Sequence, residues 1–433
     1  MTASQHTGGP GSRAAMSGRR SHAAIMHRVC ARSTGVAAVC LAAFAASGCH
    51  DQVGDPARIA APSLQSRAQS EGAPVSLQWQ QTARDLVVKY RTDPLVTYRL
   101  YALVSMARYA GITDATAGGG RRELEVERGA AAGASAAVLA DMYPAEKASL
   151  DDMVRAQEAI GPGGPHPHFA RGEADGRAAA QRVLARATTD GFDAPWPGGV
   201  PVGVGLWVST GMPPARPMLA SMRPFFLASG AQFRPGPPPA YGSPAFVAAL
   251  TEVSAISAGP RTAEQLALAQ FWALRVGTVT TQGYWGERAA ELIRAAGLGE
   301  TGASHVLALL DAAAMDAAIG CWDAKYTYWL LRPSHATAAF GLPPISLPIG
   351  LPTHPSYPSG HSCVSGASSE VLGQLFPADA ERLGRLAVEM GRSRVYAGIH
   401  YQFDADVGLA LGRDIGRFAV EYDRARGVLA ALR

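Results

Sequence analysis

Apolar residues recur every three or four positions along most of the chain after residue 76, which is the spacing of amphipathic helices. The stripe of Val96, Leu100, Leu103 and Ala107 is one example. The alternation of apolar and polar residues that is typical of strands is nearly absent. The pattern therefore predicts an all-α fold, a bundle of ten or more helices. The predicted helices are 77–91, a run that begins at 94, 130–159 with a break near 144, 172–190, 243–257, 262–276, 284–297, 301–332 and a further helix after 359.

Local signals indicate where two of these helices begin and where long loops lie. An Asp-Pro pair at 93–94 provides a capping side chain followed by a proline suited to the first helical position. A Thr-x-x-Gln capping box opens the helix at 262. The segments 161–168 and 191–243 are rich in Pro and Gly. Loops of this kind often build the walls of a functional cleft, so we expect them near a site.

The N-terminal region indicates an export signal. Arg28 and Arg32 precede the apolar run 35–46, which is too short to span a membrane as a helix. The run leads into Ala46-Ser-Gly-Cys49, which resembles the lipobox of bacterial lipoproteins, in which the Cys is lipidated and becomes the new N-terminus. We therefore predict lipidation at Cys49, with plain cleavage as the alternative.

The rest of the chain is predicted to form one catalytic domain. We interpret residues 1–25 as an over-called leader, 26–48 as the signal peptide, 49–76 as a flexible tether and 77–433 as a single helical domain. These segments predict an exported protein, located in the periplasm or on the outer surface of a bacterium. Its expected contact with the membrane is through the N-terminal lipid only.

The charge distribution excludes a nucleic-acid binder. The chain of 433 residues has a formal net charge of +4, but residues 1–48 contain five arginines and no acidic residue. The remaining chain carries 34 basic and 35 acidic residues and is close to neutral. It therefore lacks the basic surface that binds phosphate backbones. Its hydrophobic content of 48% also excludes a chain that is disordered throughout.

Only two cysteines remain beyond the predicted lipidation site. Cys321 and Cys363 are separated by 41 residues and each lies close to a candidate site residue. In an oxidising compartment the two thiols could form a disulfide. A pair of unpaired core cysteines fits the sequence equally well, because a free cysteine behaves as a small apolar residue.

Candidate chemistry is concentrated in three short blocks between residues 325 and 404. The first is Lys325 followed by Arg332-Pro333, and the seven-residue step predicts both cations two turns apart on one helix face, with Arg332 near the helix end. The second is Pro358-Ser-Gly-His361. In it Ser359 is the expected N-cap, while Gly360 lets the backbone approach a ligand and the amides at the helix start favour an anion.

The third block is Ser393-Arg394, then His400, then Asp404. If a helix begins near His400, Asp404 lies one turn on and can hold the imidazole in one tautomer. Together the blocks supply three cations, a hydroxyl, a helix-start amide and two histidines. This set suits a tetrahedral oxyanion whose central atom bonds one histidine while the other histidine transfers a proton.

These eleven positions resemble the three-part signature of the type 2 phosphatidic acid phosphatase and vanadium haloperoxidase superfamily. The resemblance implies an all-helical fold. It also implies that His400 is the nucleophile of a phosphatase or the vanadate ligand of a haloperoxidase, with His361 as the acid–base residue and Asp404 as the group that orients His400. The oxyanion-binding residues that it implies are Lys325, Arg332, Ser359, Gly360 and Arg394.

Two further residues bear on the choice between the two branches. His354, five residues before Ser359, resembles the bromoperoxidase-type members, and Trp322 resembles the haloperoxidase branch. His335 is a further candidate for the pocket wall. The leading hypothesis is a vanadate-dependent enzyme that oxidises halide with hydrogen peroxide. The alternatives are a secreted acid phosphatase that needs no cofactor and acts on phosphate esters through a phosphohistidine, and a non-catalytic oxyanion-binding lipoprotein.

One further segment mimics the first block. Arg216 is followed, after six residues, by Arg223-Pro224. The segment carries Arg in place of Lys and lies in a Pro-rich stretch, where no helix is expected to align the two charges. We therefore predict a structural role for both arginines.

Overall fold

The computed structural model describes residues 73–117, 124–160, 166–209, 211–259 and 261–432. The predicted signal peptide, the lipidation site Cys49 and most of the tether lie outside these residues. The described residues form thirteen α-helices and no β-strand, which confirms the all-α prediction. The helices are α1 Val75–Lys89, α2 Pro94–Thr116, α3 Leu124–Met142, α4 Lys147–Glu158, α5 Pro167–Ala187, α6 Pro244–Ala258, α7 Ala263–Phe271, α8 Thr280–Ala295, α9 Glu300–Tyr328, α10 Pro333–Ala336, α11 Gly360–Leu375, α12 Ala380–Tyr396 and α13 Gln402–Arg426.

The predicted helix starts are confirmed where a cap was identified. The Asp93 side chain accepts a hydrogen bond from the backbone N–H of Leu95, and Pro94 occupies the first helical position of α2. Thr262 and Gln265 form both hydrogen bonds of the capping box of α7. Reciprocal side-chain and backbone bonds of this kind satisfy donors that the helix itself leaves unpaired.

Several helix boundaries differ from the predictions. The helix predicted at 172–190 begins five residues earlier, with Pro167 in its first turn. The helix predicted at 262–276 ends at Phe271, and Leu274 then adopts a positive φ of 40°. Within 191–243 the described residues contain only one short turn of 3-10 helix, Pro217–Ser221. Tertiary contacts of the helix ends decide these boundaries, and the local apolar pattern does not encode them.

Helix α9 runs through the centre of the core. It is the one described helix that is long and apolar enough to cross a membrane by length and composition, and 94% of its most apolar stretch is buried within the protein. It packs against α2, α11, α13 and α8. Because α9 ends at the candidate site, the buried face of this helix fixes the position of the first signature block.

Glycines bring α13 against α11, the helix that begins with the second block. A Cβ atom on Gly412 would lie 2.0 Å from the carbonyl oxygen of Cys363, and one on Gly408 would lie 2.8 Å from that of Ser359. No side chain fits at these distances, so the two helix backbones are in direct contact. This contact holds the second and third blocks next to each other.

Replacing Gly412 should therefore destabilise the fold. We expect Gly412→Ala to lower the free energy of unfolding by about 2 kcal/mol, the usual scale for overpacking a close contact. Gly384 is the matched control, because a Cβ atom on this α12 residue meets no atom within 4 Å. Gly384→Ala should raise the free energy of unfolding by about 0.5–1 kcal/mol, since alanine favours helix. Urea denaturation measures both changes. A Gly412→Ala protein as stable as the unchanged chain would contradict the proposed contact.

Candidate active site

The structure brings the three signature blocks together at helix ends. Lys325 lies in the last turn of α9, the second block opens α11, and the third block joins the end of α12 to the start of α13. Six of the predicted residues are fully or almost fully buried, whereas Gly360 and His361 are partly exposed. The six are Lys325, Arg332, Ser359, Arg394, His400 and Asp404.

The prediction that Lys325 and Arg332 share one helix face is wrong. Helix α9 ends at Tyr328, and Trp329 adopts a left-handed conformation with φ of 50°. The chain then extends, with the N–H of Leu331 donating to the carbonyl of Gly205, and Arg332 becomes the residue that precedes α10. Pro333 favours this extended conformation at the preceding residue. Both cations still reach the same site, one from a helix and the other from an extended segment.

Lys325 holds the segment that leads into α11. Its ammonium donates to the carbonyl oxygens of Pro355 and Ser356, both at 2.9 Å, and to that of Pro358. Burial lowers the pKa of Lys325 to about 8, because the charged form loses its hydration. The lysine thus places a positive charge beneath the second block and fixes the backbone before Ser359.

Arg332 connects the second and third blocks. Its guanidinium donates to the carbonyl oxygens of His354 at 3.0 Å and Ile399 at 2.7 Å. Its two terminal nitrogens also lie 3.1 Å from Nε2 of His400 and 3.0 Å from Nδ1 of His354. Burial lowers the pKa of Arg332 to about 10. The fork of the side chain therefore faces both a candidate ligand and a candidate pocket residue.

Ser359 and Gly360 open α11 as predicted. The Ser359 hydroxyl accepts the backbone N–H of Ser362 at 3.5 Å, the position of an N-cap. A Cβ atom on Gly360 would lie 3.3 Å from the Trp322 ring, so glycine leaves the space beside this ring open. The N-terminus of α11 thus presents backbone donors to the pocket.

His361 is held as a neutral imidazole. Its Nε2 lies 3.2 Å from the carbonyl oxygen of Ala273, and because a carbonyl only accepts, Nε2 carries the proton. The lone pair is then on Nδ1. Burial lowers the pKa of His361 to about 3, and the positive charge of Arg394 lowers it further in the same direction. This histidine is a proton acceptor at neutral pH.

Asp404 orients His400 in the predicted manner. Its Oδ2 accepts three hydrogen bonds, from Nδ1–H of His400 at 2.8 Å, from the hydroxyl of Ser356 at 2.6 Å and from the backbone N–H of Tyr401 at 3.2 Å. With the proton on Nδ1, Nε2 of His400 carries the lone pair that faces Arg332. Burial, followed by the charge of Arg332, holds the pKa of His400 well below its usual range. Burial also raises the pKa of Asp404 to about 6.

Arg394 is the third buried cation of the site. Its guanidinium donates to the Ser393 hydroxyl at 3.0 Å and to the carbonyl of Ala269 at 2.8 Å, while Nη1 is buried without a hydrogen-bond partner. Burial lowers the pKa of Arg394 to about 9. The signature residues thus contain three buried cations and one buried carboxylate, Asp404. A tetrahedral oxyanion with two negative charges would balance this set and satisfy Nη1.

Sequence reasoning missed part of the site. Ser356, whose hydroxyl bonds Asp404, is not among the predicted site residues, although it lies three residues before the motif serine. The carbonyls of Ala269 and Ala273 hold Arg394 and His361 from α7 and the turn after it. A backbone carbonyl leaves no signature in the sequence, so these two contacts could not have been predicted.

The structure joins two of the three extra pocket candidates to the site. The rings of Trp322 and His354 lie 5.0 Å apart, and the indole N–H donates to the carbonyl of Ala215. The backbone N–H of His335 donates to the carbonyl of Arg332, and burial, followed by the charge of Arg332, lowers the pKa of His335. Cys321 and Cys363 are buried free thiols, so the structure contains the unpaired alternative.

The two arginines of the segment that mimics the first block contact other residues than the signature blocks. The guanidinium of Arg216 stacks on the ring of Phe192 at 4.4 Å, and its Nη1 lies 3.5 Å from the carboxylate of Asp193. Arg216 adopts a left-handed conformation with φ of 42°, and the side chain of Arg223 donates to the carbonyl of Arg186. No regular α-helix aligns the two arginines in this described segment.

The chain is similar to known proteins over the region that holds the signature blocks. Residues 305–427 match the model of the PAP2 superfamily. The chain is 41% identical over 75 residues to the non-specific acid phosphatase of Salmonella typhi, covering 17% of this chain and 28% of that protein. It is 33% identical over 101 residues to the vanadium-dependent bromoperoxidase of Ascophyllum nodosum, covering 17% of this chain and 18% of that protein. The matches thus span less than a third of the length of these curated relatives.

The fold is similar to two solved bacterial structures over most of the chain. A vanadium-dependent iodoperoxidase superimposes with a TM-score of 0.69 at 24% identity, covering 82% of this chain and 97% of that one. An apo-type vanadium-dependent chloroperoxidase gives a TM-score of 0.63 at 16% identity, covering 78% and 95%. At these identities the similarity establishes the shared helical architecture.

The pKa values of Asp404 and Lys325 predict how the affinity of the site for a tetrahedral anion changes with pH. Sulfate remains a dianion from pH 5 to 9, so its affinity reports only the protein. We expect the affinity to fall near pH 6, where Asp404 gains its negative charge, and again above pH 8, where Lys325 loses its positive charge. The second step should approach tenfold per pH unit. Isothermal titration calorimetry across this pH range measures both steps.

Two variants test which residue causes each of these changes in affinity. Asp404→Asn should remove the step near pH 6 and leave the one above pH 8, whereas Lys325→Met should weaken binding throughout and remove the upper step. An upper step that persists in Lys325→Met would contradict the assignment of that titration to the buried lysine.

Proposed function

We propose that this chain, whose residues 305–427 belong to the PAP2 superfamily, is a vanadate-dependent haloperoxidase that oxidises halide with hydrogen peroxide. The observation that carries the proposal is the ring pair of Trp322 and His354, which lie 5.0 Å apart, with Nδ1 of His354 3.0 Å from the buried guanidinium of Arg332. The helical architecture that the chain shares with bacterial iodo- and chloroperoxidases over about four fifths of its length supports it.

The residues present fit vanadate. Nε2 of His400 would hold the vanadium through its lone pair, because Asp404 holds the proton on Nδ1. Lys325, Arg332 and Arg394 supply the charge that balances the oxyanion, and the start of α11 supplies a hydroxyl and a backbone donor. When bound, vanadate would supply the Lewis acid that activates hydrogen peroxide.

His361 is suited to accept the proton that hydrogen peroxide loses on binding. Its Nδ1 carries the lone pair, since Nε2 donates to Ala273. Its low pKa keeps the imidazole unprotonated over the whole neutral range, because burial and Arg394 both oppose a further positive charge. A general acid, by contrast, would have to be protonated before the reaction. In the protein without a bound anion, the charge state of this residue is that of a proton acceptor.

The rings of Trp322 and His354, tilted by 48° to each other, supply a wall beside the oxyanion pocket, with Trp322 buried and His354 partly exposed. His354 contacts Arg332 through both its carbonyl and its ring nitrogen. Burial, followed by the charge of Lys325, holds the pKa of His354 well below its usual range. A neutral, aromatic wall next to buried cations suits a small, polarisable anion such as bromide or iodide. We therefore propose these halides as substrates.

A phosphomonoesterase is the second candidate, favoured by the oriented lone pair of His400. In this reaction Nε2 of His400 attacks phosphorus, the ester oxygen leaves with a proton from His361, and water then hydrolyses the phosphohistidine. The local identity with bacterial acid phosphatases supports this candidate. The dianionic phosphate would raise the pKa of His361 by offsetting the charge of Arg394. No cofactor is required.

Two assays on the purified protein distinguish the candidates. One follows hydrolysis of p-nitrophenyl phosphate, and the other follows halogenation of a cyclic diketone by hydrogen peroxide with bromide or iodide, each with and without orthovanadate. We expect orthovanadate to start halogenation and to suppress any hydrolysis. Fast hydrolysis without halogenation would establish the phosphatase instead. Inactivity in both assays, with orthovanadate still bound, would identify a non-catalytic oxyanion-binding protein.

Variants of the two histidines test their separate roles. His400→Ala should abolish activity and orthovanadate binding together. His361→Ala should retain orthovanadate binding while lowering turnover by about 100-fold to 10,000-fold, the usual contribution of a positioned proton-transfer group. Arg216→Ala is the control, since this arginine stacks on Phe192 outside the site, and it should leave activity unchanged. A His361→Ala protein that binds orthovanadate far more weakly but keeps its turnover at saturating orthovanadate would reverse the assignment.

We also propose that the enzyme is exported and anchored through a lipid on Cys49, with residues 77–433 as its single catalytic domain. The lipobox-like sequence before Cys49 supports this proposal. Expression in a bacterial host with labelled palmitate should label the unchanged chain and leave Cys49→Ser unlabelled. Equal labelling of the two proteins would place the lipid elsewhere.

A further inference from the structure

A second cavity lies away from the signature residues. It has a volume of about 540 Å³ and opens between the end of α5, the segment 223–228 and the end of α13. This volume is in the range of small-molecule sites. Asp316 of α9 packs behind the cavity, nine residues before Lys325 and therefore about 14 Å from it along the helix. The cavity is thus separate from the candidate active site.

The cavity has an aromatic wall. Phe225, Phe226, Phe418 and Tyr422 line it, and the rings of Phe226 and Tyr422 lie 5.3 Å apart. Phe225 and Phe226 are buried, while Phe418 and Tyr422 are partly exposed. These rings offer apolar surface to a ligand that enters from solvent.

Arg186 is buried in the wall with an unsatisfied donor. The residue is 9% exposed, its Nη2 donates to the carbonyl of Pro224 at 2.7 Å and its guanidinium stacks on Phe225 at 4.4 Å. Its Nη1 is buried without a hydrogen-bond partner. A buried N–H group without an acceptor is unfavourable unless a bound ligand accepts its hydrogen bond.

The carboxylate of Asp316 does not accept a hydrogen bond from Nη1 of Arg186. Its two oxygens accept the backbone N–H groups of Phe225, Phe226 and Leu227 at 2.7, 2.7 and 3.1 Å. The acid is therefore committed to holding the segment 223–228 in place. Its negative charge offsets part of that of Arg186 without satisfying Nη1.

The charged residues that line the cavity are positive in sum. Arg186, Arg223 and Arg426 carry three positive charges, and Glu421 carries one negative charge. Arg223 is held at the rim, because its backbone N–H donates to the carbonyl of Asp190 and its side chain donates to that of Arg186. This arginine belongs to the segment that mimics the first signature block, so its role lies here.

We propose that this cavity binds an organic anion that has an aromatic or aliphatic body and one carboxylate, sulfonate or phosphate group. The acidic group accepts hydrogen bonds from Nη1 of Arg186 and from Arg223. The body packs on Phe226, Phe418 and Tyr422. The site is independent of the oxyanion pocket, so the proposal does not depend on which reaction that pocket performs.

Calorimetric titration of the full chain with 2-naphthalenesulfonate tests this site. We expect saturable binding, and at least tenfold weaker binding of naphthylmethylammonium, which has the same ring system and the opposite charge. Arg186→Gln should raise the dissociation constant at least tenfold. Arg426→Gln should raise it about threefold, whereas Arg424→Gln, the matched control two positions away on the same helix and outside the cavity, should leave it unchanged.

Two further variants locate the ligand. Ala425→Trp places a large side chain at an exposed position of the cavity wall and should abolish binding without touching Arg186, which decides the question if Arg186→Gln does not fold. Arg394→Gln removes a charge from the oxyanion pocket and should leave the dissociation constant unchanged. Loss of binding in Arg394→Gln, normal binding in Ala425→Trp, or equal binding of the two naphthalene compounds would each overturn the proposal.

Discussion

An excess of buried positive charge, three cations against one carboxylate, is the constraint on which the site depends. Removing Lys325, Arg332 and Arg394 from water is unfavourable, and Asp404 balances only one of the three charges. The excess charge also opposes protonation of both histidines, so His361 remains a base and His400 keeps a free lone pair. A bound oxyanion is the group that relieves this imbalance. The electrostatics of the pocket and its chemistry therefore have the same origin.

Backbone carbonyls make this arrangement stable before any anion arrives. Lys325 is held by the segment 355–358, Arg332 by the carbonyls of His354 and Ile399, and Arg394 by that of Ala269. Each carbonyl dipole offsets part of a cation's lost hydration and fixes its direction. These carbonyls lie at helix ends and in turns, where the backbone has acceptors to spare. The direct contact between α11 and α13 keeps those ends in register.

The candidate active site and the cavity around Arg186 share one feature, a buried arginine with an unpaired nitrogen. Arg394 in the candidate active site and Arg186 in the second cavity are both buried with Nη1 unpaired. Arg394 has polar neighbours and two other cations, which suits a compact, highly charged oxyanion. Arg186 stacks on Phe225 beside further aromatic rings, which suits an anion with a large apolar body. The surroundings of an unpaired guanidinium thus decide which anion it accepts.

The sequence by itself determined the all-α architecture, the helix caps at 93–94 and 262–265 and the three blocks of the candidate site. These features depend on apolar periodicity and on spacings of a few residues, which the local chain dictates. The tertiary structure alone decided that α9 stops at Tyr328, that Ser356 bonds Asp404 and that α7 supports Arg394. The cavity around Arg186 also belongs to this second group. Contacts between distant segments, and above all those made by backbone carbonyls that every residue carries, have no sequence pattern and exist only once the helices have packed.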